Sequence, residues 1–254
     1  MLKLRFTEYR GTLHNDVMVT PSASVNFALA GNDTLRAMAD SEYNFMLGGK
    51  GDDTYIASNQ SAITIIDSGG NDSIVATGIG IGSSSSYVLT IDGNKHILAY
   101  DILSGQQVSV ANWLNPANRI EQVTLREGTF SFTQIASLLP SMPGYLGDFS
   151  MSEIIQAGYF LRGTTPDDVY EYLSYLQARE SAMERMAQLL ENFRLTWDEA
   201  KQAVIANLGN PKLIYDVARI HGINSDMLAA LVGVQTEDVQ NYFRFNGLDP
   251  MLIM

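Results

Sequence analysis

The chain has 254 residues, with 28 acidic and 16 basic side chains, a formal net charge of −12 and no cysteine. This acidity argues against nucleic acids and anionic membranes as partners. The lack of cysteine excludes disulfides and thiolate metal sites. Residues 1–20 contain no continuous apolar segment of the kind found in cleaved signal peptides, and no apolar stretch approaches the roughly 18 residues of a membrane span. We therefore expect neither a cleaved signal peptide nor a transmembrane segment.

A turn rich in glycine and aspartate recurs in the N-terminal third of the chain. Its fullest copy, GGKGDDTYI at 48–56, fits the pattern G-G-x-G-x-D-x-U-x, in which U is a large apolar residue. Shorter copies lie at 31–35 and 69–74, and a weaker first copy lies at 14–18. Their aspartates, at positions 16, 33, 53 and 72, are spaced by close to two nonapeptides each time, which indicates a repeating unit.

A second series of apolar segments lies between these turns, at 25–27, 43–45 and 63–65, and we align its three members with one another. Two strands and two turns per repeat predict a short parallel β-roll over 10–82, in which successive coils lie about 4.8 Å apart. An ordinary meander of hairpins with aspartate-rich turns is the alternative, but it does not account for both series.

The composition of the turns predicts a metal site on one edge of the roll. Glycines permit tight backbone conformations that direct carbonyl oxygens inward, and aspartates add carboxylate oxygens; calcium prefers such oxygen ligands. Aspartates one repeat apart become neighbours, so we expect two calcium ions, or three if the gap between Asp16 and Asp33 also binds one. The predicted ligand residues are Asp16, Gly31, Asp33, Gly49, Gly51, Asp53, Gly70 and Asp72.

These turns resemble the RTX, or haemolysin-type calcium-binding, repeats of bacterial proteins. The segments at 89–93, 108–114 and 119–125 are similar to the haemolysin-type calcium-binding-related region that often follows such repeats, so we assign 83–139 to a β-rich region of that kind. The resemblance covers roughly residues 10–140. It implies export by type I secretion machinery, folding triggered by extracellular calcium, and a secreted or cell-surface location.

The pattern becomes helical after a proline- and glycine-containing linker, which we place at 140–149. Ser150 with Glu153, and Thr196 with Glu199, are capping boxes, and Pro166 and Pro211 fit the first position of a helix. Six helices are predicted in a C-terminal domain at 150–254. The expected fold class is therefore multidomain α+β: a parallel β-roll, a β-rich region and an all-α bundle.

Function beyond calcium binding is less constrained by the sequence. Residues 225–239 have a helix-turn-helix rhythm, but 150–254 carry 8 basic and 14 acidic side chains, which argues against DNA. The three histidines are dispersed and no catalytic motif is present, so we do not expect an enzyme. Two alternatives remain: a surface or matrix assembly module whose helical domain binds a partner or itself, and the C-terminal part of a larger secreted toxin or enzyme.

Overall fold

The computed structural model describes residues 6–253, which form two β-sheets and seven α-helices. This range leaves out residues 1–5, where no signal peptide is predicted, and Met254, the last residue of the predicted helical domain. Mixed α/β structure and a helical C-terminal region are confirmed.

The strands of both sheets are short, at three to six residues each. They are β1 (Thr7–Arg10), β2 (Val17–Thr20), β3 (Ser24–Phe27), β4 (Thr34–Ala37), β5 (Asn44–Leu47), β6 (Thr54–Ile56), β7 (Ala62–Ile65), β8 (Ser73–Val75), β9 (Ser86–Ile91), β10 (His96–Asp101), β11 (Gln107–Val110), β12 (Gln122–Leu125), β13 (Gly128–Ser131) and β14 (Tyr145–Phe149).

Successive strands from β1 to β8 alternate between the two sheets. The eight-stranded sheet has the order β1-β3-β5-β7-β11-β10-β9-β14, and the six-stranded sheet has the order β13-β12-β8-β6-β4-β2. Neighbours within β1-β3-β5-β7 and within β2-β4-β6-β8 are parallel. Each repeating unit of the sequence therefore contributes one strand to each sheet.

The aspartate spacing gives the register of these strands, whereas our alignment of the apolar segments does not. Val25 pairs with Phe45, and Phe45 pairs with Thr64. These pairs have the same sequence separations as Asp33 and Asp53, and as Asp53 and Asp72. Aligning Val25 with Tyr43 was wrong because Tyr43 precedes β5, in a turn where its φ is 56°. Buried polar residues on β3 and β5, such as Asn26, also obscured the alternation.

The sheets enclose an apolar core that includes Leu35, Tyr55 and Ile74 from one sheet and Met46 and Ile65 from the other. All five side chains are at most 3% exposed. Burial of these alternate side chains fixes which face of each strand points inward, because a shift of one residue would reverse the faces.

The repeating arrangement extends beyond residue 82, the predicted end of the roll. Strands β9 and β10 form an antiparallel hairpin, after which β11 pairs in parallel with β7 and β12 pairs in parallel with β8. Residues 107–125 thus continue both sheets. The inserted hairpin interrupts the spacing of the repeat, which is why the sequence pattern did not include this segment.

The segment predicted as a linker, 140–149, has regular structure. Leu139–Ser141 is a 3-10 helix, and β14 pairs in parallel with β9 at the edge of the eight-stranded sheet. Pro140 lies in the first turn of that 3-10 helix, where a missing N–H costs no hydrogen bond. Proline and glycine here indicate a turn next to a strand of the sheet instead of a linker.

The described residues also form seven α-helices, and the capping residues identified in the sequence begin several of them. Ser150 caps α2 and Thr196 caps α4, each as a capping box with a glutamate three residues later. Asn210 caps α5, which Pro211 begins. The helices are α1 (Phe132–Leu138), α2 (Met151–Ala157), α3 (Pro166–Phe193), α4 (Trp197–Ala206), α5 (Pro211–His221), α6 (Ser225–Val232) and α7 (Thr236–Phe245).

Contacts divide the chain into two compact units at Tyr175/Leu176, within α3, and not at the predicted boundary near residue 149. In the first unit, Phe45 of β5 packs edge-on against Phe160 and Tyr172, so the first turns of α3 belong with the sheets. The second unit has its own apolar core, which includes Tyr215, Ala229 and Phe243. Within residues 6–253 no helix combines the length and apolarity of a membrane span.

Candidate metal centre

The aspartates of the repeated turns form a ladder across the strands. The N–H of Asp16 donates to Asp33 Oδ1 (2.6 Å), that of Asp33 to Asp53 Oδ1 (2.8 Å), and that of Asp53 to Asp72 Oδ1 (2.8 Å). Asp72 N–H donates to Glu121 Oε2 (2.9 Å), which ends the series. One oxygen each of Asp33, Asp53 and Asp72 therefore has a structural role that needs no metal.

The second carboxylate oxygen is different. Within residues 6–253, Oδ2 of Asp33, Asp53 and Asp72 is buried and has no hydrogen-bond partner, and these side chains are at most 1% exposed. A buried carboxylate oxygen without a partner is costly, because it has lost water and gained nothing in exchange. These three atoms are therefore candidate ligand atoms for a cation.

Three of the described carboxylates converge. One oxygen each from Asp53, Asp67 and Asp72 lies within 4.8 Å of the other two, and all three residues are buried. Asp53 and Asp72 come from consecutive turns, but Asp67 is not part of the repeated motif. Strands β5 and β7 pair Met46 with Ile65, so two residues further on Asp67 is level with Gly48.

Tyr55 and Gly48 hold Asp67 in position. The fully buried Tyr55 hydroxyl donates to Asp67 Oδ1 (2.7 Å) and accepts from Gly48 N–H (3.0 Å), while Gly69 N–H donates to Asp67 Oδ2 (2.8 Å). A Cβ on Gly48 would lie 2.1 Å from Asp53 Oδ2 and 2.3 Å from the Tyr55 hydroxyl. Glycine at 48 therefore keeps space for the carboxylates.

The glycines predicted as ligands bring backbones of adjacent turns together. Gly51 has a φ of +122°, and a Cβ there would lie 1.9 Å from Gly31 O; a Cβ on Gly70 would lie 1.8 Å from Gly51 O. A Cβ on Gly49 would likewise lie 1.8 Å from Leu29 O. This close stacking accounts for Gly31, Gly49, Gly51 and Gly70 at these positions.

The electrostatics of the site favour a bound cation or bound protons. Burial raises the pKa of Asp33 to about 6, of Asp53 to about 7 and of Asp72 to about 8, although each accepts a backbone N–H. The negative charge of a neighbouring aspartate adds to each increase. Burial likewise raises the pKa of Asp67, as does the charge of Glu121. Near neutral pH, this cluster can bind protons or a cation in their place.

The donor set is all oxygen, of the kind that a hard cation such as calcium accepts. Calcium binds six to eight oxygen atoms and accepts carboxylates, backbone carbonyls and water in flexible geometry. Asp53, Asp67 and Asp72 supply three carboxylates around one point, and the unpartnered Oδ2 atoms of Asp53 and Asp72 are available to it. Metal ions that prefer softer nitrogen or sulfur ligands are disfavoured by this all-oxygen set.

The predicted aspartates differ in their availability. Asp53 and Asp72 belong to the converging group, and Asp33 lies one turn away with its own unpartnered oxygen. Asp16 Oδ2 accepts from both the N–H and the hydroxyl of Thr12, at 2.6 and 2.9 Å. In the gap between Asp16 and Asp33, Oδ2 of Asp16 therefore already accepts two hydrogen bonds, whereas Oδ2 of Asp33 is buried without a partner in the described chain.

Sequence reasoning missed Asp67 and Glu121. Asp67 precedes Gly69-Gly70 of the fourth turn, so an aspartate just before a glycine pair could have suggested it. Glu121 lies far from Asp72 in the sequence, although it accepts the N–H of that residue. Its position directly before β12, like that of each aspartate before its strand, was the available signal.

Neither a family model nor a curated protein matches this sequence.

Proposed function

We propose that this chain is a calcium-binding protein in which calcium drives folding of the two-sheet unit as a β-roll. The observation that carries this proposal is the row of buried Oδ2 atoms on Asp33, Asp53 and Asp72 without hydrogen-bond partners in the described chain. A calcium ion would give these atoms a partner and neutralise charges that burial otherwise disfavours. In the unfolded chain the carboxylates are separated and bind calcium weakly.

The expected energy of this coupling is modest. Extracellular calcium modules bind with dissociation constants of about 10⁻⁴ to 10⁻³ M, so millimolar calcium stabilises the fold by about 1 kcal/mol per ion. Relief of repulsion between the aspartates adds to this. Calcium therefore shifts a marginal folding equilibrium, and low free calcium raises the unfolded fraction of the sheet unit.

This equilibrium supports the location implied by the resemblance to RTX repeats. An unfolded, acidic chain suits passage through type I secretion machinery, and millimolar calcium outside the cell would then fold it. We accordingly propose a bacterial protein that is secreted or displayed at the cell surface.

Asp53→Asn should reduce the calcium response most among the ladder aspartates, because Asp53 lies between Asp33 and Asp72. We expect loss of about 1 kcal/mol of calcium-dependent stabilisation. The measurement is a calcium titration followed by circular dichroism and by urea unfolding at each calcium concentration. A wild-type titration curve for Asp53→Asn would disprove the proposal.

Asp52→Asn is the matched control. Asp52 is exposed and forms a separate ladder with Asn15, Asn32 and Asn71, accepting the N–H of Asn71 through Oδ1 (3.0 Å). Asparagine at this position removes the same charge and reproduces the residue of the other turns. We expect a nearly unchanged calcium titration, which separates ligation from a general effect of net charge.

A second candidate function is an assembly module, favoured by exposed apolar side chains on the second, helical unit of the chain. Ile220 is 71% exposed, Leu252 62% and Phe245 88%. Such residues can form a surface for a partner or a second copy. Light scattering with and without calcium distinguishes the two functions: calcium-dependent oligomers favour assembly, and a monomer that becomes more compact favours calcium-coupled folding.

A further inference from the structure

The metal centre lies where the repeated turns meet the segment that follows them. Asp67 lies just before the fourth turn and Asp72 lies within it, and both contact residues 115–122. The Asn118 side-chain amide donates to the carbonyl of Asp67, and the N–H groups of Glu121 and Gln122 donate to the carbonyl of Asp72 (3.1 and 3.0 Å). This segment therefore contacts the main chain of two of the three converging carboxylate residues.

The same segment joins the sheets on both sides of the centre. Before it, β11 pairs with β7, and after it, β12 pairs with β8. Asp72 N–H donates to Glu121 Oε2, as the earlier aspartates of the ladder donate to one another. Pairing of β11 and β12 thus requires the turn at 115–122 to lie against Asp67 and Asp72.

This docking brings negative charges together. Glu121 adds a fourth acidic side chain to the converging Asp53, Asp67 and Asp72, and its charge acts on Asp67. The free Oδ2 atoms of Asp53 and Asp72 remain buried without a partner in the described chain. Without a cation, docking is opposed by repulsion between these carboxylates and by the cost of their desolvation.

We infer that a divalent cation bound by Asp53, Asp67 and Asp72 controls docking of β11–β13, residues 107–131, onto the repeated turns. Asp67 is the ligand that distinguishes this site from the gaps between the other turns, because it is the only one of the three outside the repeated motif. The inference rests on the proposed calcium binding and adds the step of folding that this ion controls. The earlier turns, from β2 to β6, pair with each other without residues 107–131.

Hydrogen exchange of the full chain, with calcium or with a chelator, tests this inference. In 2 mM calcium, Asp67→Asn should accelerate exchange across residues 107–131 by about 3- to 20-fold, the factor by which this calcium concentration stabilises a site with a dissociation constant of about 10⁻³ to 10⁻⁴ M. Amides of β2 and β4 should retain their calcium-dependent protection. Equal loss in both regions, or unchanged protection of 107–131, would overturn the inference.

Glu121→Gln provides a second test that does not remove a ligand. Its amide oxygen can still accept the N–H of Asp72, but the charge is gone, so residues 107–131 should gain protection in the absence of calcium. Unchanged calcium-free protection would contradict the inference even if Asp67→Asn failed to fold. If wild-type protection does not respond to calcium anywhere, the proposed function itself fails; a response that is independent of Asp67 overturns this inference alone.

Discussion

At the scale of single residues, the two carboxylate oxygens of Asp33, Asp53 and Asp72 have different roles, one within the ladder and one, in the proposed function, as a ligand of calcium. In Asp53, Oδ1 accepts the N–H of Asp33, whereas Oδ2 is buried without a partner in residues 6–253. The first role is met by asparagine elsewhere in the chain, since Asn32 Oδ1 accepts the N–H of Asp52. Only the second, proposed role requires a carboxylate, which would explain why the buried ladder consists of aspartates while the exposed one consists mostly of asparagines.

The raised pKa values predict how stability depends on pH. The pKa values of about 6, 7 and 8 for Asp33, Asp53 and Asp72 lie above the ordinary value of 3.8, so the folded chain binds more protons than the unfolded chain. Without calcium, the contribution of these groups is therefore favourable at low pH and is lost as pH rises through 6 to 8.

Urea unfolding in a chelator from pH 5 to pH 9 checks this dependence. The free energy of unfolding of wild type should fall over this range, and saturating calcium should reduce the fall because the cation replaces the protons. Asp72→Asn cannot ionise and should have a shallower profile. Stability that rises from pH 6 to pH 8 in the chelator would contradict the assignment.

Tyr55 connects the apolar core to the candidate metal centre. Tyr55→Phe removes the hydroxyl that donates to Asp67 and accepts from Gly48, which leaves two buried groups without a partner. We expect a loss of about 1 to 3 kcal/mol in the free energy of unfolding, together with weaker calcium binding. Tyr43→Phe, at a tyrosine 37% exposed, is the control and should change neither quantity in the same titrations.

At the scale of elements, local sequence signals identified helices better than strands. The helix predicted to begin at Pro166 does so and extends to Phe193, and the helices that follow Thr196 and Asn210 begin where expected. Capping is a local interaction, so its signal is contained within a few residues. Strand β14 lacked such a signal, because its partner β9 lies far earlier in the chain.

The cap of α5 gives a prediction confined to the helical unit. Asn210→Ala removes the oxygen that accepts the N–H of Leu213 (3.2 Å) and should cost about 1 kcal/mol. Hydrogen exchange across Pro211–His221 should become faster, while Asn210→Ser, which can still cap, should remain close to wild type. A changed calcium titration for Asn210→Ala would show that this helix contributes to the metal response.

At the scale of the whole molecule, the net charge of −12 and the buried carboxylates predict a calcium-dependent change in dimensions. Removal of calcium should raise the unfolded fraction of the sheet unit and increase the mean radius of gyration, because acidic groups repel one another in the absence of a cation. Small-angle scattering at low protein concentration measures this change. Asp52→Asn should behave as wild type, and identical scattering curves with and without calcium would refute the coupling.

The sequence by itself determined the repeating unit, the position of each ladder aspartate before a strand, and most of the helix boundaries. These features depend on neighbouring residues or on a regular spacing, and both can be read along the chain. Only the tertiary structure decided that Asp67 joins Asp53 and Asp72, and that Glu121 ends the ladder. Asp67 becomes a neighbour through the pairing of β5 with β7, and Glu121 does so across the inserted β9–β10 hairpin. Contacts made by pairing between distant segments leave no regular spacing in the sequence.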